Sequence, residues 1–280
     1  MKEIHVAQII DEVRNLCIDS NYYLNDDVEN SLIKFYTEEK FSIAKDILDK
    51  IIKNAEIARD KKMPICQDTG VTCVFVEIGQ DVHVIGGILK DAINEGVRRG
   101  YEDGFLRKSV VNDPLNRINS RDNTPAFIKY DITDGDKLKI VVAPKGFGSE
   151  NMSKLKMLKP SDGIEGVKKF VIETVEEAGP NPCPPTIIGV GIGGTFDLCA
   201  SLAKKAAIRS LDIRNENEYY RNLELELLDE INKLGIGPQG FGGKTSSLCV
   251  NIEYFATHIA GLPVAVNVNC HAARHREVIL

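Results

Sequence analysis

Short runs rich in β-branched and aromatic residues alternate along this chain with stretches whose apolar residues recur at helical spacing. That alternation restricts the chain to a layered α/β fold. VTCVFVEIG (71–79) reads as a strand, and VHVIGG leads from it into a helix through Arg99. AFIKYDIT and LKIVVAPKG flank Asp134, Gly135 and Asp136, whose tolerance of tight-turn angles predicts a hairpin. Ser161 opens a helix running to Gly179; PTIIGVGIGG is followed by a helical stretch and then by NENEYYRNLELELLDEINKLG. SSLCVNIEYFATHI and LPVAVNVNC are strand-like. Upstream, Ile43, Ile47, Leu48, Ile51, Ile52 and Ala55 recur at helix spacing after Ser42, a residue suited to capping the first turn. The expectation is a single α/β domain over residues 1–280, with layered helices and mixed β-sheets in a bilobed arrangement and residues 1–60 mostly helical.

Composition narrows the partners. With 43% apolar and 27% charged residues, the chain resembles a globular protein with a well-buried core. A net charge of -6 offers no basic footprint for nucleic acid. No apolar run approaches the roughly 20 residues needed to span a bilayer, and no positively charged leader precedes a cleavage site, so a cytoplasmic, membrane-free location is expected. Two G-x-G-x-x-G matches raise dinucleotide binding. The first, Gly189, Gly191 and Gly194, lacks a following strand that ends in an acidic residue, and the second, Gly235, Gly237 and Gly240, contains Pro238 and leads into strand-like sequence.

The seven cysteines separate by context. Cys17, Cys73, Cys199 and Cys249 lie inside apolar elements, where a thiol acts as a small hydrophobe. Cys66, Cys183 and Cys270 lie in the loops PICQDTG, GPNPCPPT and NVNCHAARH. The absence of a C-x-x-C pair argues against a zinc ribbon. Three separated thiolates are compatible with an iron–sulfur cube that keeps one iron open for Lewis-acid work.

PICQDTG, KGFGSENMS, NPCPPTIIGVGIGG, GIGPQGFGGK and LPVAVNVNCHAARH resemble the class I fumarate hydratases, and more closely the α subunit of the two-subunit fumarase and L-tartrate dehydratase family, from about residue 60 onward. The resemblance implies a fold like the N-terminal domain of class I fumarases, with residues 61–280 as the cluster-bearing part. It implies an oxygen-sensitive 4Fe-4S cluster held by Cys66, Cys183 and Cys270, and Asp68 as the acid that protonates the leaving hydroxyl. It also implies substrate contacts from Gln67, Arg107, Gly148 and His258. Each residue has a plainer reading: Asp68 in an Asx turn with Thr69 and Gly70, Arg107 as a solvated arginine, Gly148 in a tight turn, His258 as a structural histidine. His271 and His275 could ligate metal on spacing grounds, but the resemblance gives them no role.

Ten residues follow Cys270, where longer single-chain relatives continue into a domain carrying the catalytic base. The resemblance therefore implies a separate β subunit and a hetero-oligomer, α2β2 in the family, in which the active site is completed. Fumarate hydration to L-malate is the first expectation; L-tartrate or mesaconate-type dehydration is the alternative. An electron-transfer protein is the rival from another class, and would need a fourth ligand such as Cys73 or Cys249.

Overall fold

In a computed structural model describing residues 1–280, the strand-like runs assemble into two four-stranded mixed sheets and one two-stranded ladder, with helices layered on them in an α/β fold. The chain divides into two units. The first comprises Met1–Leu24, Ala55–Phe147 and Arg274–Leu280; the second comprises Asn25–Asn54 and Gly148–Ala273.

In the first unit β2 (Val71–Gly79), largely buried, takes a central place. β5 (Leu138–Lys145) pairs antiparallel on one side of it, β4 (Phe127–Thr133) pairs parallel on the other, and β10 (Arg276–Ile279) extends the sheet beyond β5. The ladder of β1 (Lys2–His5) with β3 (Val82–Ile85) lies in the same unit. Helices α1 (Val6–Tyr22) and α4 (Leu89–Asp103) contribute Ile9, Val13, Ile93, Val97 and Tyr101 to a core shared with Val74, Val76, Ile140 and Val142. The two helices approach closely because Gly96 and Gly100 face Val13 and Cys17, where a Cβ would lie only 2.7 Å from either side chain.

The hairpin expected at Asp134–Asp136 does not form, since β2 lies between β4 and β5. The turn instead arches over the end of β2: the amides of Gly79, Gln80 and Asp81 donate to the carbonyls of Lys137, Thr133 and Gly135, each at 2.9 Å. Turn residues specify that the chain reverses, but not which strand occupies the gap. Burial decided that, because β2 gains ladders on both edges while β4, largely exposed, stays outside.

In the second unit β6 (Lys154–Leu158), β9 (Leu262–Asn269), β7 (Thr186–Gly194) and β8 (Ser247–Thr257) form the sheet in that order. Helices α6 (Gly163–Ala178) and α8 (Glu218–Lys233) cover the face bearing Ile188, Val190, Ile252, Val264 and Val266. Helix α7 (Phe196–Ala206) lies on the opposite face, with Cys199 and Ala203 against Ala265. The first glycine motif is explained by this packing. A Cβ at Gly189 would sit 2.1 Å from the Ala203 carbonyl oxygen, and one at Gly191 would sit 2.2 Å from that of Cys199. These glycines bring helix backbone against strand backbone and lie within the strand, so they form no phosphate loop.

This unit also holds α2 (Asp26–Glu38) and the start of α3 (Ser42–Lys61). Ser42 does not stand at a cap position, being already helical, and the buried Glu39, the C-cap of α2, accepts from the amides of Lys40 and Phe41 in the connection to α3, both at 3.0 Å. Its other oxygen accepts from the Lys244 amide at 2.9 Å and the Thr245 hydroxyl at 3.4 Å. Burial pushes this carboxyl up, but the amides of Phe41, Lys244 and Lys40 outweigh it and hold the group below the usual range. No helix is long and apolar enough to cross a membrane.

Two outcomes follow. Gly191→Ala should cost about 1–3 kcal/mol or more, read as a lower urea midpoint, because rigid backbone blocks the added methyl. Glu39→Gln should destabilise at neutral pH by about 1–3 kcal/mol. A depressed carboxyl stabilises above its unfolded value, near 4.5, and that contribution is lost as pH falls through the folded value. Melts of wild type and variant should therefore converge below pH 4.5.

Candidate functional site

Between α3 and β2 the chain crosses the loop Cys66–Gly70, which carries three of the expected site residues. The Cys66 thiol is half-buried, receives the Asp68 amide at 3.4 Å and lies 3.3 Å from the Gln67 side-chain oxygen. Asp68 does form the Asx turn: Oδ1 accepts from the Gly70 amide at 2.9 Å. Oδ2 accepts in addition from the amide of Phe147, the last residue of this unit, at 3.0 Å. Two amides thus fix the plane of a half-buried carboxylate.

The backbone of this loop is anchored through its carbonyls. The Tyr101 hydroxyl donates to Thr69 at 2.7 Å, Asn123 Nδ2 donates to Gly70 at 3.2 Å, and Arg274 Nη2 donates to Asp68 at 2.7 Å. The Thr69 hydroxyl in turn donates to the Arg107 carbonyl at 3.0 Å, which ties the Arg107 segment to the cysteine loop. Arg107 itself is exposed and forms no salt bridge with a protein carboxylate. Asn123 is fully buried at φ +64° and also accepts from the Ser109 and Val110 amides at 2.7 and 3.2 Å. Gly70 is required where it stands: its φ is +72°, and a Cβ would lie 2.7 Å from Lys145 backbone.

The first unit therefore gathers Cys66, Gln67, Asp68 and Arg107. Tyr101, Asn123 and Arg274 are the supports that sequence reasoning missed. Only Asn123 carried a local signal, since asparagine tolerates left-handed backbone before the extended Thr-Pro step.

The second unit gathers the other two loop thiols. β9 runs antiparallel to β7 with Ile187 opposite Asn269, so the start of β7 and the end of β9 share one end of the sheet. Cys183 and Cys270 lie there, exposed and half-buried respectively, with Cys183 at φ +56°. Gly148 lies in α5 (Phe147–Glu150), before the strand β6 that pairs with β9. Glu150 anchors that helix through Lys204 and through Asn267 Nδ2 at 2.8 Å. Gly148 is not in a left-handed turn, and its missing Cβ has only the Asn181 carbonyl within 4 Å, at 3.8 Å. Protein packing thus gives no reason for glycine there.

His258 is placed elsewhere in this unit. It lies in the turn between β8 and β9, exposed, its Nδ1 accepting from the Ala260 amide at 3.2 Å. β8 runs parallel to β7 along the nine residues of β7, so at about 3.3 Å per residue this turn is roughly 26 Å along the sheet from the cysteine end.

Solvent access divides the thiols as the sequence contexts do. Cys17, Cys73, Cys199 and Cys249 are buried. Burial pushes the thiol of Cys17 up, that of Cys199 up to about 12 and that of Cys249 up to about 11. The accessible thiols are Cys66, Cys183 and Cys270, the donor set an iron–sulfur cluster would need. Within neither unit do three His, Cys, Asp or Glu side chains gather as a metal-holding group. Cys66 belongs to the first unit, and Cys183 and Cys270 belong to the second.

Comparison with known proteins places this geometry. The model of the fumarate hydratase (Fumerase) family matches residues 10–279. The chain belongs to that family. It is therefore a hydro-lyase family member, and its relatives are named as subunits. Over 274 residues it is 45% identical to a protein of Methanocaldococcus jannaschii provisionally named L(+)-tartrate dehydratase subunit alpha, covering 95% of each chain. It is 34% identical over 286 residues to L(+)-tartrate dehydratase subunit alpha of Escherichia coli K12, covering 100% of this chain and 93% of the relative. The same subunit of Escherichia coli UTI89 is 35% identical over 280 residues, covering 98% of this chain and 91% of the relative.

Asn123→Ala should remove one donor and one acceptor from buried backbone groups and cost about 1–3 kcal/mol in urea unfolding. Hydrogen exchange at Ser109 and Val110 should quicken in the same variant.

Proposed function

We propose that this fumarase-family chain is the cluster-bearing α subunit of a hydro-lyase that reversibly hydrates fumarate to L-malate, with a separate β subunit completing the active site. The observation that carries this reading is one anchored loop that holds a thiol and a fixed carboxylate, Cys66 and Asp68, and to which the backbone of Arg107 is tied. Its three accessible cysteines are suited to hold a 4Fe-4S cluster through Cys66, Cys183 and Cys270. When bound, such a cluster supplies Lewis-acid stabilisation of negative charge at the leaving oxygen.

The protein's own groups supply the rest. Arg107 presents a planar fork to a substrate carboxylate, and no protein carboxylate competes for it in a salt bridge. Gln67 is exposed beside the thiol and donates through its amide nitrogen to the same substrate. Gly148 leaves a side-chain-free surface against which a flat diacid can lie. Each Asp68 oxygen spends one lone pair on a backbone amide and keeps another for a proton. In dehydration the Asp68 carboxyl gives its proton to the departing hydroxyl oxygen; in hydration the carboxylate takes one from the attacking water. The base acting at carbon comes from the partner, and so does the second carboxylate clamp.

L-tartrate dehydration is the second reading, favoured by the names of the relatives. L-malate and L-tartrate share the diacid frame and differ by one hydroxyl group, so Asp68 and Arg107 keep the same tasks in either. Assays on fumarate, mesaconate and L-tartrate with the partner subunit present discriminate them; activity on none of the three overturns the proposal.

Asp68→Asn in the assembled enzyme should lower kcat by about 10²–10⁴-fold while iron and sulfide content stay at wild-type levels. Replacing Cys66, Cys183 and Cys270 together by serine should abolish iron and sulfide binding after anaerobic reconstitution. Unchanged metal content in that variant would refute the cluster assignment.

A further inference from the structure

Cys183 adopts a left-handed backbone, φ +56°, that a non-glycine residue keeps only when its surroundings impose it. Two side chains outside the expected site do so. Gln239, itself at φ +54°, donates to the Pro184 carbonyl twice, from its backbone amide at 2.8 Å and from Nε2 at 2.9 Å. His271, the residue after Cys270, meets the Cys183 carbonyl with its backbone amide at 3.4 Å and with ring Nδ1 at 2.9 Å.

The ring proton can be assigned from these contacts. An unprotonated Nδ1 at 2.9 Å from a carbonyl oxygen would set two lone pairs against each other, so Nδ1 carries hydrogen and donates to Cys183. The 3.2 Å approach of Gln239 Nε2 to the same ring nitrogen is then a contact without a hydrogen bond, because a protonated Nδ1 has no lone pair to accept the amide's second hydrogen. Segments 180–185, 238–240 and 270–271 are joined in one polar clamp, although they come from three distant parts of the sequence.

We infer that Gln239 and His271 are positioning residues that set the spacing of Cys183 and Cys270 before any cluster arrives. His271 thus acts on the site through the carbonyl of one thiol residue and its chain bond to the other, with Nδ1 occupied by protein. Fixed in advance, the two thiols lose less freedom when they take up a ligand, which favours binding and slows release. The inference rests on the proposed ligand role of the two cysteines only for its consequence on cluster retention; the clamp itself is a property of the cluster-free chain.

The test uses the full-length chain with Cys66 replaced by serine, cluster-free and reduced, treated with the short thiol crosslinker dibromobimane. Cys183 and Cys270 should bridge readily, and His271→Ala and Gln239→Ala should each slow bridging about fivefold, as expected for loss of a neutral hydrogen bond. His271→Asn, which keeps an N–H near the Nδ1 position, should bridge at close to the reference rate. In the chain with all cysteines present, the two alanine variants should lose iron to a chelator about fivefold faster than wild type, and His271→Asn should not. Bridging within twofold of the reference in both alanine variants, or His271→Asn as slow as His271→Ala, overturns the clamp. Altered bridging with cluster content insensitive to the triple serine replacement would instead sink the cluster reading and leave the clamp standing.

Discussion

Antiparallel pairing of β9 with β7 is the constraint on which the candidate site depends. It returns the chain to the level at which β7 began, so that Cys270 arrives beside the residue that precedes β7's proline pair. The pairing needs a sheet covered on both faces. Glycines at 189 and 191 allow that by letting α7 lie backbone to backbone on one side while α6 and α8 fill the other with large aliphatic residues. The same glycines that suggest a nucleotide loop to a motif search are thus structural members of a strand.

In each unit the loops that carry the candidate residues are held through their carbonyls, with donors from elsewhere in the same unit. In the first unit Tyr101, Asn123 and Arg274 each supply a donor to the Asp68–Gly70 backbone, and in the second Gln239 and His271 do the same for Cys183 and Pro184. Backbone carbonyls in a loop have no ladder to satisfy them, so side chains that reach them stabilise one loop conformation over the alternatives. Reactive side chains on such loops inherit that order, which is what a thiolate ligand or a proton-transferring carboxylate requires.

The residues that the family likeness nominates fall at three places in the fold. Cys66, Gln67 and Asp68 lie on one anchored loop to which the Arg107 carbonyl is tied, and Cys183, Cys270 and Gly148 share one end of the second sheet. His258, matched by motif alone, lies at the other end, beyond the last residue of β8. Position in a motif fixes a residue's neighbours along the chain, whereas the direction of its strand fixes which end of the sheet it occupies.

What the sequence determined was the set of elements and the chemistry of the loops. Apolar runs marked β2, β7, β8 and β9, helical periodicity marked α3, and flanking Pro, Gly and polar residues separated the accessible cysteines from the buried ones, because those signals act over a few residues. Tertiary structure decided the strand order that turned an expected hairpin into an arch over β2, and it used Glu39 to order the connection between α2 and α3. It also recruited Asn123, Gln239, His271 and Arg274 as loop anchors. Those outcomes join residues far apart in the chain, where the gain comes from burying apolar surface on both faces and satisfying carbonyls left inside. No local pattern encodes which distant side chain will meet them.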